Sequence, residues 1–136
     1  MTYAVIDTNV IVSALLTHNP QTATAKVLDY MAKGDIVNVY NDDILMEYMD
    51  VLHRTKFHFP ESKIKSVLAL IAKYGIHSDR IPFDGDMPDE KDRPFYEVSL
   101  SMEDSFLVTG NIKHFPVTPK VITPAQMVSI IEEDNQ

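Results

Sequence analysis

Cysteine is missing from all 136 residues, and with it go disulfides, thiolate catalysis and cysteine-based zinc sites. No apolar run approaches the ~20 residues that a membrane-spanning helix needs. No basic stretch precedes the first apolar segment, as it would in a secretory leader. The chain is therefore expected to start its fold close to Met1 and to reside in the cytoplasm, away from membranes. Basic residues are also short: 12 Lys and Arg stand against 20 Asp and Glu, a net charge of −8. That balance argues against a broad cationic surface for gripping nucleic acid. It leaves room for a small acidic site that recruits a divalent cation and, through it, a phosphate. No repeat, low-complexity tract or linker divides the sequence, so residues 1–136 read as one domain, long enough for a sizeable core.

What the chain does have is alternation of strand-like and helix-like segments. Tyr3-Ala4-Val5-Ile6 is a short apolar run that ends where an amphipathic pattern begins, at Val10-Ile11-Val12, as a buried strand feeding a helix does. Residues 22–33 carry helical spacing (Ala23, Val27, Leu28, Met31) and stop at Gly34, a good residue just past a helix end. Ile36-Val37-Asn38-Val39-Tyr40 reads as a second strand. Asn41-Asp42-Asp43 then supplies a cap and an acidic first turn for a helix to about Leu52. Residues 62–74 form another amphipathic helix closed by Gly75, Ile76-His77-Ser78 a short strand, and residues 80–91 a polar loop. Pro94 disfavours helix at Arg93, so the next helix is expected to begin around Asp92 or just after it. Phe106-Leu107-Val108-Thr109 and Lys120-Val121-Ile122 are late strands, and a helix from Pro124 to about Glu132 follows. Strands alternating with helices call for an α/β fold with a parallel sheet covered on both faces.

Three acids fall on the strand-to-helix side of such units. Asp7 closes the first strand. Glu47 flanks the apolar arc of Ile44, Tyr48 and Val51 on its helix, which turns it toward the sheet rim. Asp92 opens the helix that leads to the late strand. Each has a bland reading as well: Asp7 and Asp92 as helix caps, Glu47 as a solvated helical acid. Carboxylates gathered at one rim raise each other's pKa unless a cation holds them. A hard ion with oxygen ligands, Mg²⁺ or Mn²⁺, suits that set.

The stretch Thr109-Gly110-Asn111-Ile112-Lys113-His114-Phe115-Pro116 adds a further pattern. Together with Val5-Ile6-Asp7-Thr8-Asn9-Val10, Ile44-Leu45-Met46-Glu47-Tyr48 and Asp92-Arg93-Pro94-Phe95-Tyr96-Glu97, it resembles a PIN domain. More narrowly, it resembles the bacterial PIN-family toxins of toxin–antitoxin systems, the VapC-like group. The four motifs stand in the family's order and spacing along the whole chain. The resemblance implies a three-layer α/β/α sandwich with a mainly parallel sheet and a metal-dependent ribonuclease activity. It implies Asp7, Glu47 and Asp92 as metal ligands, with Asn111 at a fourth catalytic position where relatives often carry Asp. An amide there can bind an ion or its water through the carbonyl oxygen but brings no charge. Asp104, just before the late strand, either compensates or faces solvent, and His114 stands where some relatives have an acid and could approach substrate phosphate. Thr8 either supports a metal ligand or bonds local backbone. The partners implied are RNA, single-stranded or structured, and a small antitoxin protein. A homodimer is a further expectation, for which the 23–31 or 64–71 helices offer apolar faces that core packing explains equally well.

Two other readings compete. One is a PIN-like RNA- or protein-binding module that keeps the acids but has lost turnover, with Asn111 as its mark. The other is a receiver-like phosphoacceptor domain, which needs an acid pair after its first strand and an Asp at the end of a middle strand. Ile6-Asp7-Thr8 and Tyr40-Asn41 supply neither. Basic residues do gather locally, at His53, Arg54, Lys56 and His58, at Lys63 and Lys65, and at Lys113, His114 and Lys120. Each group reads first as a solvated face.

Overall fold

The computed structural model describes residues 1–135. Five strands, β1 (Thr2–Ile6), β2 (Ile36–Tyr40), β3 (Ile76–His77), β4 (Phe106–Val108) and β5 (Val121–Ile122), form one sheet. The order is β3-β2-β1-β4-β5 and every pairing is parallel. Around it run α1 (Thr8–Leu16), α2 (Ala23–Lys33), α3 (Asp42–Leu52), α4 (Glu61–Tyr74), α5 (Arg93–Leu100) and α6 (Pro124–Asp134). The expected three-layer α/β/α architecture is the one observed.

The central strand owes its position to composition. Ala4, Val5 and Ile6 are at most 1% exposed, as a strand covered on both faces must be. Its neighbours meet it in register, Ala4 beside Phe106 and Ile6 beside Val108 on one edge, Ala4 beside Asn38 on the other. Right-handed crossovers send α2 and α5 to opposite faces. On one face α2 packs with α1 and α6; on the other α5 lies against β1, β2 and β4. The strand order reverses between β1 and β4, and such a switch point is where open α/β sheets keep their ligands.

Local chemistry sets the element ends. Gly34 closes α2 in the left-handed region at φ 86°, a conformation that costs glycine nothing. Asn41 caps α3 by accepting the Ile44 N–H at 2.9 Å. Thr123 and Gln126 form a reciprocal capping box on α6. The second helix closed by glycine ends at Gly75, where a Cβ would lie 2.4 Å from the Ile71 carbonyl and 2.8 Å from that of Asn38. The apolar positions of α2 and α4 that had suited an interface, Val27, Met31, Ile64, Val67 and Ile71, are buried in the core.

Two details differ from expectation. Arg93 is helical (φ −53°, ψ −43°) although Pro94 follows it. It stands in the first turn, where proline removes no helix hydrogen bond, and its guanidinium is tied to Glu90 and to the Phe83 carbonyl. Short 3₁₀ turns at Thr55–Phe57, Glu90–Asp92 and Ile112–His114 also stand where the sequence had suggested only loop or helix boundary.

Candidate metal centre

At the carboxyl ends of β1 and β4 the sheet opens into a cleft of about 680 Å³. Asp7, Glu47, Asp92 and Asn111 all line it, as do Thr8, Asn9, Asp89 and His114. The four residues singled out in the sequence are therefore brought to one place from β1, α3, the start of α5 and the turn after β4.

Asp7 occupies the N-cap position of α1 but makes no capping hydrogen bond. Its carboxylate is held elsewhere. Thr109 Oγ1 donates to Asp7 Oδ2 at 2.7 Å, and Asn9 Nδ2 donates to the same oxygen at 3.2 Å. Asn9 Oδ1 in turn accepts the Gly110 N–H at 3.1 Å, and Thr109 Oγ1 accepts that of Asn111 at 2.9 Å. The Asp-Thr-Asn end of β1 and the Thr-Gly-Asn end of β4 are thus laced across the switch point. Both donors converge on Oδ2.

Glu47 is half-buried and accepts a hydrogen bond from Thr8 Oγ1. This settles Thr8 as the partner of a cleft acid rather than of local backbone. One residue on, Tyr48 is buried and donates its hydroxyl to the Ile6 carbonyl, pinning α3 to the end of β1 next to Asp7. Asp92, whose side chain is 16% exposed, also makes no capping bond. Its Oδ2 lies 3.2 Å from His114 Nδ1.

Burial and neighbouring charge act together on two of these acids. Burial, with the charges of Asp92 and Glu47 added, pushes the Asp7 pKa from 3.8 up to about 6 against the opposing Thr109 hydrogen bond. Asp92 is also raised, by burial first and then by Asp89, with His114 opposing.

Asp89 is the cleft acid that the sequence reading missed. Among the described residues, the histidine and carboxylate ligand atoms that lie within 4.8 Å of one another are those of Asp89, Asp92 and His114. The grouping shares only Asp92 with the expected set. Asp89 caps the 3₁₀ turn Glu90–Asp92 by accepting the Lys91 N–H at 3.1 Å, and an i, i+3 spacing in that turn puts it on the same side as Asp92. The loop bearing it is braced by Glu97, which is 6% exposed and meets Arg80 at 2.7 Å and the Phe83 N–H at 2.8 Å. His114, expected near substrate phosphate, is turned onto Asp92 and, at 3.7 Å, Asp89. Asp104 is exposed and does not line the cleft, so of its two readings the solvent-facing one holds.

An oxygen-rich donor set with one imidazole, in which burial first and neighbouring acids second raise the pKa of Asp7 and Asp92, fits a hard divalent cation. The match to known families agrees. A family model described as PIN domain covers residues 3–113, a span that includes Asp7, Glu47, Asp92 and Asn111. The chain belongs to the PIN domain family, whose members are typically metal-dependent nucleases. Comparison with curated proteins and with solved structures gives no match. No helix among the described residues is long and apolar enough to cross a membrane.

Proposed function

We propose that this chain is an Mg²⁺- or Mn²⁺-dependent endoribonuclease that hydrolyses RNA phosphodiester bonds, and that it is the toxin of a pair restrained by a small antitoxin protein. The observation that carries the nuclease reading is the meeting of Asp7, Glu47 and Asp92 in one cleft at the switch point of the sheet. The carboxylates of Asp7, Glu47 and Asp92 are the groups that would hold the ion. A bound ion would supply neutralisation of the phosphodiester charge and a lowered pKa for water.

The chain's own residues do the positioning. Thr109 and Asn9 fix the plane of the Asp7 carboxylate, and Thr8 fixes Glu47. Asn111 offers its amide oxygen to orient water at the rim. The toxin assignment draws on the order of the four motifs from Asp7 to Asn111 and on their resemblance to the VapC-like group. It adds a cytoplasmic RNA substrate and permits a homodimer.

Incubation of the purified protein with single-stranded RNA and Mn²⁺ tests the catalytic part. Slow cleavage that Asp7→Ala abolishes is expected. Induced expression in a bacterial host tests the biological part: growth should stop with the wild type, continue with Asp7→Ala, and resume when the product of a neighbouring small reading frame is co-expressed.

A second reading, a PIN-like binding module, is favoured by the uncharged Asn111 and by the contact of His114 with Asp92. Mn²⁺ binding without cleavage of any RNA, with either metal, would put that reading first.

A further inference from the structure

We infer that the 53–59 segment, His-Arg-Thr-Lys-Phe-His-Phe, is a platform for single-stranded nucleic acid at the lip of the cleft. Phe57 takes a base against its ring, and Arg54 and Lys56 take backbone phosphates. The inference rests on the nuclease reading only for where the strand leads.

Position is the first argument. Glu47 and Val51 lie one turn apart on α3, Arg54 follows just past its end, and all three line the cleft. Arg54 therefore shares a cleft wall with Glu47. Phe57 lines the same cleft.

Charge is the second. The segment has no acid of its own in a chain of net charge −8, so a polyanion approaching the acidic floor needs such a patch. Among the described residues Arg54 is paired only with Asp50, at 3.4 Å across exposed side chains, and exposed pairs of this kind are held weakly enough to be exchanged for a phosphate. Lys56 has no carboxylate within 4.0 Å among the described residues; its Nζ lies 5.1 Å from the centroid of the Phe57 ring. A base arriving on that ring would release the ammonium to a neighbouring phosphate. His53, by contrast, is turned away to Glu61 at 2.9 Å and anchors the segment to α4.

The third argument is the rings. Phe57 and Phe59 are stacked, centroids 5.4 Å apart and planes 13° from parallel. Phe59 packs against the core, whereas Phe57 does not belong to it and lies on the cleft side. Their alignment is set by His58, whose φ of 55° is the one positive value at a non-glycine residue among those described. Histidine adopts that conformation at a cost. The turn holds an aromatic face at the entrance to a polar cleft, where core packing does not require it. A pre-set ring flanked by cations is how proteins hold single strands without reading their sequence.

Fluorescence anisotropy with the full chain in EDTA at low ionic strength provides the test. The probes are a labelled 12-nucleotide single-stranded RNA, the DNA of the same sequence and the RNA duplex. Single strands should bind more tightly than duplex. Phe57→Leu should weaken single-strand binding about 5-fold or more and spare the duplex, while Phe57→Tyr restores it. Arg54→Gln and Lys56→Gln, at exposed positions where folding is insensitive, should each lower the salt slope by about 1. The RNA and DNA arms show whether the sugar matters.

Wild-type affinity for duplex above single strand, or unchanged binding in Phe57→Leu and Lys56→Gln, would overturn the platform. So would absence of single-strand binding alongside capture of a polyglutamate peptide that depends on Arg54 and Lys56, since the segment would then be a protein-docking patch. Binding that follows this pattern without any cleavage supports the platform and removes only the nuclease reading. Cleavage whose KM ignores these substitutions removes only the platform.

Discussion

Asp7 is 5% exposed and carries a pKa raised from 3.8 to about 6, chiefly by burial. A folded-state pKa above the unfolded one means the fold binds that proton more tightly. The associated stability is complete below pH 3.8 and is lost as pH rises through about 6. Above that window the charged side chain costs the metal-free protein up to about 3 kcal/mol. Asp7→Asn should therefore raise the metal-free melting temperature at pH 8, change it little at pH 4, and abolish cleavage; differential scanning calorimetry at the two pH values checks the sign. Asn111 poses the converse case, a missing charge at the rim. Asn111→Asp is expected to tighten Mn²⁺ binding in calorimetric titration and to leave cleavage equal or faster. Asp7 and Glu47 were legible because each follows a strand or sits on a helix whose periodicity fixes its direction. Asp89 was not, because its direction depends on a 3₁₀ turn inside a polar loop, and acidic loops such as 84–92 are ordinarily solvated.

The elements that hold the site do so through a few buried polar contacts. Tyr48 joins α3 to the last carbonyl of β1, so Tyr48→Phe should lower stability by about 1 to 2 kcal/mol and reduce cleavage by loosening the seat of Asp7. Chemical denaturation together with an activity assay separates the two effects. Glu97 on α5 braces the 80–91 loop through Arg80 and the Phe83 N–H. Burial raises its pKa, but the Phe83 and Arg80 contacts outweigh burial and the net shift is downward. A lowered folded pKa makes this brace most effective at neutral pH and weakens it in acid. Glu97→Gln should cost about 2 kcal/mol, the loss of a charge-assisted hydrogen bond to a half-exposed Arg80, and hydrogen exchange should show faster amide exchange in residues 80–91. The strands and helices themselves were readable from apolar runs and from Gly34, Asn41 and Pro124. The Glu97 brace was hidden because nothing in the spacing of Arg80 and Glu97 announces that a long loop folds back between them.

Over the whole molecule, the acidic charge and the small acidic cleft predict two collective behaviours. Mn²⁺ bound only to the folded form should raise the melting temperature in proportion to the logarithm of its concentration; no shift at millimolar Mn²⁺ would count against a metal centre. With few cations facing the strand, RNA binding should fall with salt with a logarithmic slope no steeper than about −3. The sheet order has one more consequence, and it concerns synthesis. β1 is made first but sits in the middle, and one of its edges waits for β4 at Phe106–Val108. Asp7 likewise waits for Thr109. A growing chain on the ribosome therefore carries an exposed central edge, open to mispairing, and no complete cleft until β4 and the turn after it have emerged. The cell meets this cleft only as a finished object, and a chain cut short before β4 would be an aggregation hazard rather than a nuclease.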